Sequence, residues 1–151
     1  MNYIIKDAQI VNENLISASD LLIKNGRIEK VAKNIDVPYR ITEVRAEGKF
    51  LLPGIIDDQV HFREPGLIHK ATIYTEAKAA VAGGVTSFME MPNTKPPAFT
   101  EELLEDKYAI ASKNALANYS FFMGTSNDNA EEVLKMNQRK NDVCGVKIFM
   151  G

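Results

Sequence analysis

From Gly54 onward, short runs rich in β-branched and aromatic residues alternate with longer stretches at helical spacing, restarting roughly every 30 residues, the length of one β/α step. This grammar leaves few folds open, because strands joined by helical crossovers run parallel and must be covered by those helices. The strand-like runs are residues 54–61, 85–91 (VTSFMEM), 119–123 and 145–150 (GVKIFM). Between them, residues 68–82 place Ala71, Tyr74, Ala77 and Val81 on one helical stripe, closed by Gly83-Gly84. Thr100 is placed to cap a second helix, with Glu101 and Glu102 in its first turn and Leu104, Tyr108, Ala111 and Ala115 on one face. A short third helix, capped by Asn127 or Asp128, carries Val133, Leu134 and Met136.

Before Pro53 the pattern is different. Residues 3–11 and 20–24 read as strands, and Asn25-Gly26 is a strong hairpin signal, predicting a two-residue type I′ turn. Residues 41–45 and 49–52 add two short strands around Glu47-Gly48, giving a small antiparallel sheet. The expected organisation is a β module over residues 1–52 and four β/α units over residues 53–151. Four units are half of an eight-stranded barrel of about 250 residues. The chain is therefore expected to be the N-terminal portion of a longer polypeptide, or to have the rest of its barrel supplied separately. A self-sufficient open four-stranded sheet is the alternative.

Composition narrows the function. A net charge of −2 with both signs interspersed offers no basic stripe for nucleic acid. The only cysteine, Cys144, rules out an internal disulfide or a Cys-x-x-Cys site and fits a reducing, cytoplasmic setting. The most apolar run, residues 50–56, is short and broken by Pro53-Gly54, so no membrane span is expected. The expected partner is a small molecule.

Chemistry concentrates in LLPGIIDDQVHFREPG, residues 51–66. Alternation along a strand would put Asp57, Gln59, His61 and Arg63 on one face and Asp58, Val60 and Phe62 on the other. Ile55-Ile56 reads as ordinary core. Polar groups so arranged need a partner such as a metal ion or an anion, since an unpaired buried charge is costly. A strand end fraying into solvent is the bland alternative. Glu64-Pro65-Gly66 then forces a turn at the strand's C-terminal mouth.

The run PGIIDDQVHFREPG resembles the signature of the amidohydrolase superfamily, and its FREPG ending resembles the class I dihydroorotases. The order of the β module, the FREPG strand, AGGVTSFMEMPNT and GVKIFMG follows that family over nearly the whole chain. The resemblance implies an α/β fold: the N-terminal half of a (β/α)8, TIM-like barrel preceded by a small antiparallel β-sandwich module. It also implies zinc, one or two ions, and reversible cyclisation of N-carbamoyl-L-aspartate to dihydroorotate in pyrimidine synthesis, with allantoinase or hydantoinase chemistry as the near alternative. His61 and Lys147, the latter carboxylated, become metal ligands. A carbamate on Lys147 would resolve the problem of an ammonium in an apolar run; a lysine snorkelling to the barrel mouth is the other reading. Arg63 and Asn93 become the groups that hold the substrate carboxylate, Arg63 through its planar fork. The bland readings are a salt bridge from Arg63 to Glu64 or another acid, and a turn role for Asn93. Asp57 supports the site, and His69 is not counted as a ligand.

One position departs from the pattern. Where the family carries His-x-His, this chain has Gln59-Val60-His61, and an amide oxygen is a poorer zinc ligand than imidazole. Three outcomes follow: an altered binuclear site, a mononuclear enzyme, or a catalytically dead scaffold for a partner such as aspartate transcarbamoylase. The family implies a homodimer, and it places the remaining ligands and the proton-shuttling aspartate later in the barrel, so residues 1–151 alone are expected to be inactive. From another class, the polar face of residues 57–63 could meet a protein surface in a plain interaction module.

Overall fold

The computed structural model describes residues 2–150, which fall into two compact units divided between Pro53 and Gly54. In the first, β1 (Tyr3–Asn12), β2 (Leu15–Lys24), β3 (Arg27–Ala32), β4 (Thr42–Arg45) and β5 (Phe50–Leu51) form one sheet in the order β3-β2-β1-β4, with β5 also on β1. Asn25 and Gly26 both take positive φ, 51° and 73°, as a type I′ turn requires. Glu13 and Asn14 do the same between β1 and β2, a hairpin that polar residues without a Gly did not advertise. The sheet is mixed rather than antiparallel throughout, because β4 and β5 return by connections that bring them alongside β1 in parallel.

Asp20 anchors this unit. Its buried carboxylate accepts from Lys6 Nζ (2.5 Å), the Asp7 amide (3.0 Å) and the Ile35 amide (2.9 Å), and so ties the bulge in β1 to the chain beyond β3. Burial works to raise the Asp20 carboxyl, but the Lys6 ammonium and the two amides outweigh it and hold it below its ordinary range. Ile4, Leu22 and Ile35 form the small core beside it.

The second unit contains β6 (Ile55–Val60), α1 (Ile73–Ala82), β7 (Val85–Glu90), α2 (Glu101–Asn114), β8 (Asn118–Gly124), α3 (Ala130–Lys135) and β9 (Val143–Lys147). Its four strands are all parallel in the order β6-β7-β8-β9. Ile73 and Ala77 of α1 and Leu104 and Ala111 of α2 pack with Phe62, Phe88, Phe121 and Met123 in one core. Burying a side chain such as Ile73 or Leu104 stabilises the fold by about 2 kcal/mol. Thr100 caps α2 by accepting from the Leu103 amide at 3.2 Å, and Gly84, at φ +90°, lets the chain leave α1.

Several boundaries move for local reasons. The first helix begins at Ile73 rather than residue 68, because Thr72 and Thr75 form a reciprocal capping box there. Tyr74 and Val81, expected on its buried stripe, face solvent, and Ile73 takes their place. The short α3 is preceded by Asn129, whose side chain caps nothing and instead donates to the carbonyls of Phe99 and Gly124. The fourth strand spans Val143–Lys147, shifted towards the N-terminus of residues 145–150. Ile55 and Ile56 lie on an edge strand and are 53% and 64% exposed, not core.

Candidate active site at the strand ends

Parallel strands bring all their C-terminal ends to one edge of the sheet, and His61, Asn93 and Lys147 follow or end β6, β7 and β9 there. The strict alternation expected from Asp57 to Arg63 does not hold. An irregularity between Asp57 and Val60 sets three steps of β6 against two of β7, and β6 ends at Val60. A bulge breaks the period-two facing, so His61 and Arg63 are placed by loop structure. Gln59 is exposed, and its backbone amide donates to Asp57 Oδ1 at 3.1 Å.

Two loops, 61–66 and 91–97, are knitted together. The Lys95 amide donates to Pro65 O at 3.1 Å, and Gly66 sits so close to Lys95 that a Cβ there would lie 1.9 Å from its carbonyl oxygen. Only glycine fits, and its φ of +82° adds a second reason. Glu64 accepts the first free amide of α1, Ile73 N, at 2.7 Å. Pro92 O receives the amides of Thr94 and Ala98, which folds the second loop back on itself.

Within this frame His61 Nδ1 meets Asn93 Oδ1 at 2.9 Å. The tautomer that donates from Nδ1 leaves Nε2 with a free lone pair, the arrangement by which an outer amide orients a ligating imidazole. Arg63 takes φ +70°, uncommon for a long side chain, and makes no ion pair among the described residues. The salt bridge to Glu64 considered above is absent, since Glu64 caps α1. His69 lies in the turn before Thr72.

Lys147 stands three inter-strand steps of about 4.8 Å from β6 along the sheet. It is half-buried, with Nζ 5.5 Å from the Phe149 ring centroid and in no ion pair among the described residues. No direct contact joins it to His61 or Asn93. Its neighbours Val146 and Ile148 are exposed, so the apolar run around it is not the buried one that the sequence led us to expect. Among the described residues no three His, Cys, Asp or Glu side chains form a metal cage. His61, through Nε2, has the chemistry of one metal ligand, and Lys147 could supply a second only as a carbamate.

Sequence reasoning missed Glu90 and Lys107. The pair is almost wholly buried, Nζ 2.7 Å from Oε2, beneath the root of Arg63. Desolvation pushes Glu90 up and Lys107 down from their ordinary values, and their mutual attraction opposes both shifts. Lys107 three residues after Leu104 and four before Ala111 lay on the buried stripe, a signal that its charge concealed.

The family model described as dihydro-orotase-like matches residues 48–144. The chain belongs to that family. It is 44% identical over 119 residues to the dihydroorotase of Bacillus cytotoxicus, covering 78% of this chain and 28% of that protein. It is 45% identical over 114 residues to the dihydroorotase of Listeria welshimeri, covering 75% and 26%. The chain thus spans little more than a quarter of the curated relatives it matches. Among solved structures, an L-hydantoinase (dihydropyrimidinase) from Arthrobacter aurescens superposes with a TM-score of 0.85 at 26% identity, over 95% of this chain and 32% of that one. A D-hydantoinase at 24% identity, TM-score 0.86, shares the fold over the whole chain. The dihydro-orotase-like chain therefore carries the first half of an amidohydrolase barrel, preceded by a β module.

Proposed function

We propose that this dihydro-orotase-like chain contributes the first four strands of a zinc-dependent dihydroorotase, which interconverts N-carbamoyl-L-aspartate and (S)-dihydroorotate. The observation that carries the reading is the His61–Asn93 contact, which orients an imidazole beside the loop bearing Arg63. His61 would hold the metal through Nε2, Lys147 as a carbamate would be a second ligand, and Gln59 would offer at most a weak amide oxygen. When bound, the metal supplies Lewis acidity toward the ring carbonyl and a lowered pKa for water. Arg63 binds the substrate carboxylate through a two-pronged hydrogen bond, and Asn93 shares that carboxylate while fixing His61. The other ligands and the proton-shuttling acid would come from later strands of the longer polypeptide.

The test is turnover of dihydroorotate by the full-length polypeptide, before and after chelation and after zinc is restored. Activity that disappears with the metal and returns with zinc supports the proposal. Absent turnover with no bound metal would instead support the scaffold role that Gln59 allows. The hydantoinase likeness supports a second reading, hydrolysis of a ring without a carboxylate. Faster turnover of hydantoin or dihydrouracil than of dihydroorotate would favour it. A homodimer, and association with aspartate transcarbamoylase, belong to the same proposal and are checked by size-exclusion with light scattering.

A further inference from the structure

A buried ion pair between two neutralisable side chains is a poor way to fill space, since an apolar pair of similar volume usually serves stability as well or better. Glu90 and Lys107 occupy such a position, each side chain 1% exposed, with the Lys107 ammonium 4.8 Å from the Phe121 ring centroid. Their remaining contacts are with backbone groups of the two loops. Glu90 Oε1 accepts the Arg63 amide at 3.2 Å, and the Phe62 amide also points to this carboxylate. Lys107 Nζ donates to Met91 O at 3.1 Å, two residues before Asn93, and the Met91 amide donates to Val60 O at 3.0 Å.

We propose that Glu90 is a positioning residue for substrate binding: its Oε1 holds Arg63 in the left-handed backbone conformation, while Lys107 compensates the buried charge of that carboxylate. A long side chain has no intrinsic preference for φ +70°, so an outside group must hold it there. The anionic acceptor under the Arg63 amide is that group. This inference rests on the assignment of Arg63 and Asn93 to the substrate carboxylate.

The test uses two double variants of the full-length polypeptide. Glu90→Gln with Lys107→Met removes the ion pair but keeps an oxygen acceptor at Oε1, and Glu90→Leu with Lys107→Met removes both. A role in packing alone treats the two alike. A positioning role leaves KM for dihydroorotate within about threefold in the Gln/Met double and raises it about tenfold in the Leu/Met double, with kcat little changed in either. Equal KM in the two would overturn the proposal. If the Leu/Met double does not fold, hydrogen exchange at the Arg63 amide of the parent decides. Protection, together with a near-parental KM in the Gln/Met double, upholds the proposal, and free exchange of that amide sinks it. Arg63→Met separates the two levels: an unchanged KM there removes the carboxylate assignment and the positioning role together, whereas a raised KM with indistinguishable doubles removes only the second.

Discussion

His61 Nδ1 and Asn93 Oδ1, 32 residues apart in sequence, meet at 2.9 Å because β6 and β7 are neighbours and both run to the same edge. The contact selects one imidazole tautomer and one ring orientation. Asn93→Ala should leave the fold intact and lower zinc affinity of the full-length polypeptide about 10- to 100-fold, the usual loss when an outer partner of a ligand is removed. Metal titration monitored by competition with a chromogenic chelator measures it. An unchanged affinity would mean that His61 does not need the amide.

Gly66→Ala probes the seam between the two loops. A Cβ there would lie 1.9 Å from the Lys95 carbonyl oxygen at a backbone φ of +82°, so steric clash and strain act together. A loss of about 3 kcal/mol is expected, near the top of the range for single substitutions. Urea denaturation of parent and variant gives the difference, and a loss below about 1 kcal/mol would show that the loop relaxes.

Asp20 sets an acid limit on the β module. Its carboxyl is held below its ordinary 3.8, so the unfolded chain binds that proton more tightly than the folded one. Its contribution is complete above that ordinary value and is lost as pH falls through the folded one. Asp20→Ala should cost about 2 kcal/mol at pH 7 through three hydrogen bonds to a buried carboxylate, and the gap to the parent should narrow below pH 4. Chemical denaturation at pH 7 and pH 3 tests both statements.

Cys144 should be a slow nucleophile. Burial pushes its thiol above the ordinary range, so little thiolate forms near neutral pH. Alkylation by iodoacetamide at pH 8 is expected to be about tenfold slower than that of a free cysteine, and urea should remove the difference. Equal rates for folded and unfolded protein would contradict the burial argument.

Much of this molecule was legible along the chain. The Asn25-Gly26 turn, the Thr100 cap and the strand runs of the second unit carry their own local physics, because turn, cap and periodicity signals act within a few residues. PGIIDDQVHFREPG, which lies within the family-matched residues 48–144, pointed to the family. What the chain by itself could not decide were matters of register and neighbourhood. The bulge after Asp57 breaks the alternation that would have placed Asp57 on one face with His61, and β6 ends at Val60 before either His61 or Arg63. Ile55 and Ile56 are exposed because their strand lies at an edge of the four, a property of strand order and not of hydropathy. Glu90 and Lys107 find each other only when α2 packs onto the sheet, and neither residue, seen alone, reads as a buried charge. Local signals determined the elements; packing between elements decided which polar groups could lie buried, since a charge survives there only where a partner distant in sequence compensates it.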